Sequence, residues 1–149
     1  MAQNNSEATV VDYMTTRMIT MGWKDSVMDA AKRMIERNIS SIAITDDKGR
    51  IIGILTERDV VKIVANGVPP RGITAGSLMS YPVVSIEKGS SVEDAARVMA
   101  QKKLRHLLVK DATNQEIIGI ITVTDLARYL KKNLADEELA ASEVWELFF

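Results

Sequence analysis

Gly53-Ile54-Leu55-Thr56-Glu57-Arg58-Asp59 and Gly119-Ile120-Ile121-Thr122-Val123-Thr124-Asp125 carry one pattern: a glycine, two aliphatic residues, a threonine and, three positions on, an aspartate. An apolar run that ends in Thr-x-x-Asp predicts a strand passing directly into a helix start. Working outward, a shift of 66 also lays Ile51-Ile52-Gly53-Ile54 on Ile117-Ile118-Gly119-Ile120. Upstream the shift is 65 and pairs Met14 with Met79, Ser26-Val27 with Ser91-Val92, Asp29-Ala30-Ala31 with Asp94-Ala95-Ala96, Met34 with Met99, and Asp46 with Asp111. One inserted residue near Thr113-Asn114 accounts for the change. One register kept over about 45 residues with a single gap marks a duplication, and two copies at so long a period predict paired units with pseudo-twofold symmetry.

Each copy has the same internal order. Ser26 is a suitable N-cap, and Val27, Ala30, Ala31, Met34 and Ile35 form an apolar helical stripe; Ser91, Val92, Ala95, Ala96 and Met99 repeat it. Aliphatic runs follow at Ile39 to Thr45 and Leu104 to Val109. Turns at Asp46-Asp47-Lys48-Gly49 and Asp111-Ala112-Thr113-Asn114 then lead into second runs, Arg50 to Leu55 and Glu116 to Ile121. Second helices start near Thr56 and Thr122. The reading is therefore α+β (α/β), two βαββα repeats: a polar tail at 1–9, repeat one at 10–66, a Gly/Pro linker at 67–74, repeat two at 75–133, and an acidic amphipathic helix at 134–149, where Ala140, Val144, Leu147 and Phe148 share a face.

Composition narrows the function. The 149 residues carry 19 Lys+Arg against 20 Asp+Glu, which gives no general attraction to nucleic acid or anionic lipid. There is no cysteine, so disulfide and thiolate chemistry are excluded, and one histidine, His106, cannot build a multi-histidine metal site. The opening residues have no secretory pattern and no apolar run is long enough to span a bilayer, so the expected location is the cytoplasm. No phosphate-loop, zinc-protease or serine-hydrolase motif occurs, and the expectation is a binding module rather than an enzyme.

Two features can carry binding. Thr56/Asp59 and Thr122/Asp125 fit a helix cap, Thr at N-cap with an acid in the first turn. They equally fit a nucleotide, with backbone N–H groups and the Thr hydroxyl on phosphate and the carboxylate on the ribose hydroxyls. The two readings can coexist. Arg105 and His106 can hold phosphate or carboxylate, or simply end a helix in the company of Lys102 and Lys103. The first copy has Ser40 and Ser41 at those places, so the halves cannot bind one anion equally well.

From about Val10 to Asn133 the chain resembles a tandem CBS-domain pair, a Bateman module, of the stand-alone kind. The resemblance rests on Met14-Thr15 and Met79-Ser80, the Ser-Val-x-Asp-Ala-Ala helices, the Tyr81-Pro82-Val83-Val84 segment, and the two Gly-x-x-Thr-x-x-Asp stretches. The first copy departs from Tyr-Pro-Val-Val with Thr16-Arg17-Met18-Ile19. The resemblance implies an adenosine-containing ligand (AMP, ADP, ATP or an S-adenosyl compound) in a cleft between the repeats, with no required cofactor. It implies Asp59 and Asp125 on ribose and Thr56 and Thr122 near phosphate. Ile19, Thr20, Val84, Ser85, Ile42 and Leu107 would surround adenine, and Arg105, His106 and Arg58 would contact phosphate, with Thr124 in the place matching Arg58. It further implies a homodimer built face to face and strengthened by the C-terminal helix. The competing expectation is a constitutive dimerisation or adaptor scaffold that acts through protein contacts without ligand.

Overall fold

The computed structural model describes residues 7–133, and there each copy folds in the order read from the sequence. The first contains β1 (Thr20–Gly22), α1 (Val27–Arg37), β2 (Ser41–Thr45), β3 (Ile51–Thr56) and α2 (Glu57–Ala65). A four-residue helix that the sequence reading did not anticipate, α3 (Ala75–Leu78), follows, capped by Thr74. The second copy contains β4 (Ser85–Glu87), α4 (Val92–Lys102), β5 (His106–Lys110), β6 (Ile117–Thr122) and α5 (Val123–Asn133). The expected helix at 134–149 and most of the polar tail lie outside the described residues.

The duplication extends to hydrogen-bond detail. Ser26 and Ser91 each accept from the backbone N–H three residues on, Asp29 and Asp94, both at 3.0 Å. The helices they start both end in the left-handed conformation, at Asn38 (φ 52°) and Lys103 (φ 54°). β1 runs parallel to β2 and β2 antiparallel to β3; β4, β5 and β6 repeat this, each hairpin with a register shift at the same place, Ile44/Thr45 and Val109/Lys110.

The core follows the apolar pattern, with one exception. Met21, Ala30, Met34, Ile42, Ile44, Leu55 and Ala75 form one buried cluster. Each large aliphatic buried this way contributes about 1.5–3 kcal/mol. Ala95, Met99, Leu107, Val109 and Ile121 occupy the positions of the second copy that match Ala30, Met34, Ile42, Ile44 and Leu55, and are likewise buried. The exception is Ile35, grouped in the sequence with the buried stripe of α1 but 84% exposed. At about 100° per residue it stands a further step round the helix from Met34, off the face that Val27, Ala30 and Met34 bury.

The chain folds as two compact units, Met18–Val84 and a second made of residues 7–17 with 85–133. The lead-in of the first repeat thus belongs to the unit that holds the second. Thr15 N–H donates to the Ile120 carbonyl at 2.8 Å and Ile120 N–H to the Thr15 carbonyl at 3.0 Å. In the other unit Ser80 and Ile54 exchange the same pair, at 2.9 and 3.1 Å. These bridges give β3 and β6 a neighbour on their outer edges. Repeats in the sequence and compact units in the structure are therefore different divisions of the chain.

Candidate functional site

Strand register decides which candidates meet. In the first unit Ser41 lies opposite Thr56, Ile42 opposite Leu55, and Thr20 beside Ala43, whose N–H donates to the Ile19 carbonyl at 3.1 Å. Ile19, Thr20, Ser41 and Thr56 therefore share one end of the sheet, where α2 begins. In the second unit His106 lies opposite Thr122, Leu107 opposite Ile121, and Ser85 beside Leu108. Val84 precedes that strand by one residue. The sequence difference between Ser41 and His106 thus falls directly across from the motif threonine. Ile42 and Leu107 are 1% and 0% exposed, so their side chains lie in the core.

The helix starts show the capping reading in full. Asp59 Oδ2 accepts from Thr56 N–H at 2.9 Å and from the Thr56 hydroxyl at 3.0 Å, while Asp59 N–H donates to Thr56 Oγ1 at 3.3 Å. Asp125 and Thr122 repeat the arrangement at 2.8, 3.1 and 3.4 Å. Glu57 N–H donates to the Ser40 carbonyl at 2.9 Å, and Val123 N–H to the Arg105 carbonyl at 3.1 Å. The first-turn donors that the sequence offered to phosphate are mostly taken. Among the described residues, the first-turn N–H groups of Arg58 and Thr124 have no partner outside the helix, and both side chains are exposed. Arg105 is exposed too, and His106 is half-buried and partnered.

What the caps leave open is the second oxygen of each aspartate, and here the copies part. Asp59 is half-buried, and its Oδ1 accepts no hydrogen bond among the described residues. Asp125 is 7% exposed, and its Oδ1 accepts from Arg128 Nη2 at 3.0 Å. The same Nη2 donates to the Tyr13 carbonyl at 2.8 Å, and the guanidinium lies 5.9 Å from the Tyr13 ring centroid. Tyr13 in turn meets Tyr129 edge to face at 5.2 Å, and the Tyr129 hydroxyl donates to Glu93 Oε1. Burial first, and the Glu93 carboxylate second, push the Tyr129 phenol well above its ordinary value, so it remains a donor.

The sequence reading passed over Arg128. Its signal was available: Arg128 stands three residues beyond the motif Asp, on the same helix face, where the first copy has Lys62.

A groove of about 460 Å³ lies between α1 and α2, lined by Ala31, Met34, Ile35, Asn38, Ile39, Ser40, Glu57, Val60 and Val61. It borders the first motif at Glu57 and contains none of the expected contact residues. Among the described residues no His, Cys, Asp and Glu side chains gather as metal ligands, and no helix is long and apolar enough to cross a membrane.

Comparison with known proteins agrees with this organisation. The CBS domain family model matches residues 10–66 and 75–132. An uncharacterised protein of Methanopyrus kandleri is 35% identical over 124 residues, which cover 80% of this chain and 63% of that protein. The chain therefore spans a little under two thirds of that relative. Among solved structures, the CBS domain pair of protein MJ0100, in complex with 5'-methylthioadenosine and S-adenosyl-L-methionine, has a TM-score of 0.76 at 27% identity, covering 85% of this chain and 98% of that one. CBSX2 in complex with AMP has a TM-score of 0.70 at 27% identity, covering 84% and 97%. With both repeats matched, each in the strand and helix order described above, the chain belongs to the CBS-domain family.

Proposed function

We propose that this protein is a regulatory sensor that binds an adenosine-containing ligand, AMP, ADP, ATP or an S-adenosyl compound, and performs no chemistry on it. The observation that carries the reading is Asp59. One of its oxygens is locked in the α2 cap, which fixes the carboxylate at the sheet end shared with Ile19, Thr20 and Ser41. The other is open to a ribose diol. The ligands in the MJ0100 and CBSX2 structures share an adenosine group and support the same chemical class. With the cap donors already paired, ribose recognition is the stronger part of the proposal. Phosphate falls to the exposed Arg58 in the first unit and to Arg105 and His106 in the second. Such a sensor would act in the cytoplasm, where these nucleotides abound, through the equilibrium that ligand binding biases.

A thermal-shift screen with AMP, ADP, ATP and S-adenosylmethionine, with GTP as control, tests it. Ligand at 100 times its dissociation constant stabilises the native state by about 2.7 kcal/mol, a clear rise in melting temperature. No rise with any adenosyl ligand would remove the reading.

A second reading, a dimerisation or adaptor scaffold, is favoured by a separate observation. Ile35, Val61 and Val64 are 84%, 63% and 57% exposed, and the first two line the α1/α2 groove. We assign that face to a second copy of this chain. Ile35→Asp with Val61→Asp should then halve the mass in solution, and an unchanged mass would reject this assignment.

A further inference from the structure

The two motif aspartates, alike in sequence, have unequal acceptor capacity. A carboxylate offers about four lone-pair positions, and a ribose diol donating both hydroxyls needs two of them. In both copies the cap consumes two at Oδ2. Among the described residues, Asp59 keeps both positions at Oδ1. Asp125 has given one to Arg128, with which it also forms an ion pair. On α2 the residue in Arg128's place is Lys62, which makes no ion pair with Asp59 among the described residues.

Arg128 is held from two further sides. It donates to the Tyr13 carbonyl and lies over the Tyr13 ring, and Tyr13 is backed by Tyr129 and through it by Glu93. Displacing the guanidinium from Asp125 therefore also disturbs its hold on the chain at Tyr13, just ahead of the Met14-Thr15 lead-in that pairs with Ile120.

We propose that Arg128 is a specificity-determining residue that keeps Asp125 closed to ribose, so that the Asp59 site fills first. The second site accepts an adenosyl ligand only when Arg128 leaves the carboxylate. The inference rests on the ribose role proposed above for both aspartates. It adds an order of filling and a link from the second site to the N-terminal lead-in.

The test is calorimetric titration of AMP and 2'-deoxy-AMP into the full chain and four variants: Asp59→Asn, Arg128→Gln, Arg128→Lys and Lys62→Arg. In the wild type the tight site should disappear with Asp59→Asn. Arg128→Gln should tighten the remaining site about tenfold, the order expected from removing one charged hydrogen bond that competes for the carboxylate. It should also give that site a preference for AMP over the deoxy analogue, which a purely structural role for Arg128 would not confer. Arg128→Lys should behave like Arg128→Gln, because the first copy already carries lysine there. Lys62→Arg, which leaves the Tyr13 contacts untouched, should weaken the first site. Second-site binding unchanged or weakened in both Arg128 variants, with Lys62→Arg also silent, would overturn the inference while leaving the ribose reading intact. AMP binding indifferent to Asp59→Asn, with the deoxy analogue binding equally well, would overturn the ribose reading itself.

Discussion

Met14 lies so close over Gly119 that a Cβ there would stand 2.7 Å from the Met14 sulfur and 2.9 Å from the Thr15 carbonyl oxygen. Gly53 faces Met79 and Ser80 in the same way, with a Cβ 2.8 Å from Met79 Cγ and 3.1 Å from the Ser80 carbonyl oxygen. The glycine that opens each motif is there because another stretch of chain crosses its Cα. Gly119→Ala should cost about 1–3 kcal/mol in chemical denaturation. Adding Met14→Ala should recover only part of this, because the Thr15 backbone cannot withdraw. Gly53→Ala should cost less, since the backbone atom it meets, the Ser80 carbonyl oxygen, stands further off at 3.1 Å and the closer obstacle is a flexible methionine side chain.

Thr56 gives its hydroxyl to the cap in both directions. Thr56→Ala should therefore lower stability by about 1 kcal/mol without ligand, and Thr122→Ala by a similar amount. Urea titration of the two variants measures this. A loss well below that in both would mean the caps are not formed in solution.

Lys103 ends α4 at φ 54°, where a side chain clashes with its own backbone and glycine does not. Lys103→Gly should raise stability by about 0.5–1 kcal/mol, whereas Asn38→Gly should gain less, because asparagine tolerates this conformation. Melting curves of the two variants make the comparison.

Asp46 and Asp111 occupy equivalent turns and are held below their ordinary value of 3.8, Asp46 chiefly by the Arg50 N–H and Asp111 chiefly by the Thr113 N–H with help from Lys88. A depressed folded value means each carboxylate stabilises the native state above its unfolded pKa and loses that effect as pH falls through the folded one. Stability should be level from about pH 7 to 5 and decline below about pH 4. Asp46→Asn should flatten the decline, as followed by far-UV circular dichroism during acid titration.

Much of this architecture was legible because the duplication made every local signal appear twice. Ser26 and Ser91, or the turns at Asp46 and Asp111, confirm one another as single motifs cannot. The apolar stripe misled at Ile35, because helical periodicity assigns a face but does not say where the face stops being covered. The lead-in exchange was not legible, since nothing in Met14-Thr15 or Met79-Ser80 states which glycine each will cross. At the site, Thr-x-x-Asp was legible as a helix cap, and the structure assigned one oxygen of each aspartate to it. Arg128 was passed over although its three-residue spacing from Asp125 was on view, because what sets it apart from Lys62 is its hold on the Tyr13 carbonyl, a long-range contact that no spacing records.

The most direct test of the central claim is calorimetric titration of AMP into the intact chain and its Asp59→Asn variant. Asparagine can keep its carbonyl oxygen in the α2 cap while turning a donor, not an acceptor, toward the ligand, so the fold survives and only the ribose contact changes. The account predicts binding to the wild type and at least a roughly tenfold loss in the variant at an unchanged melting temperature. Equal affinity in the two proteins, or no binding of AMP to either, would contradict it.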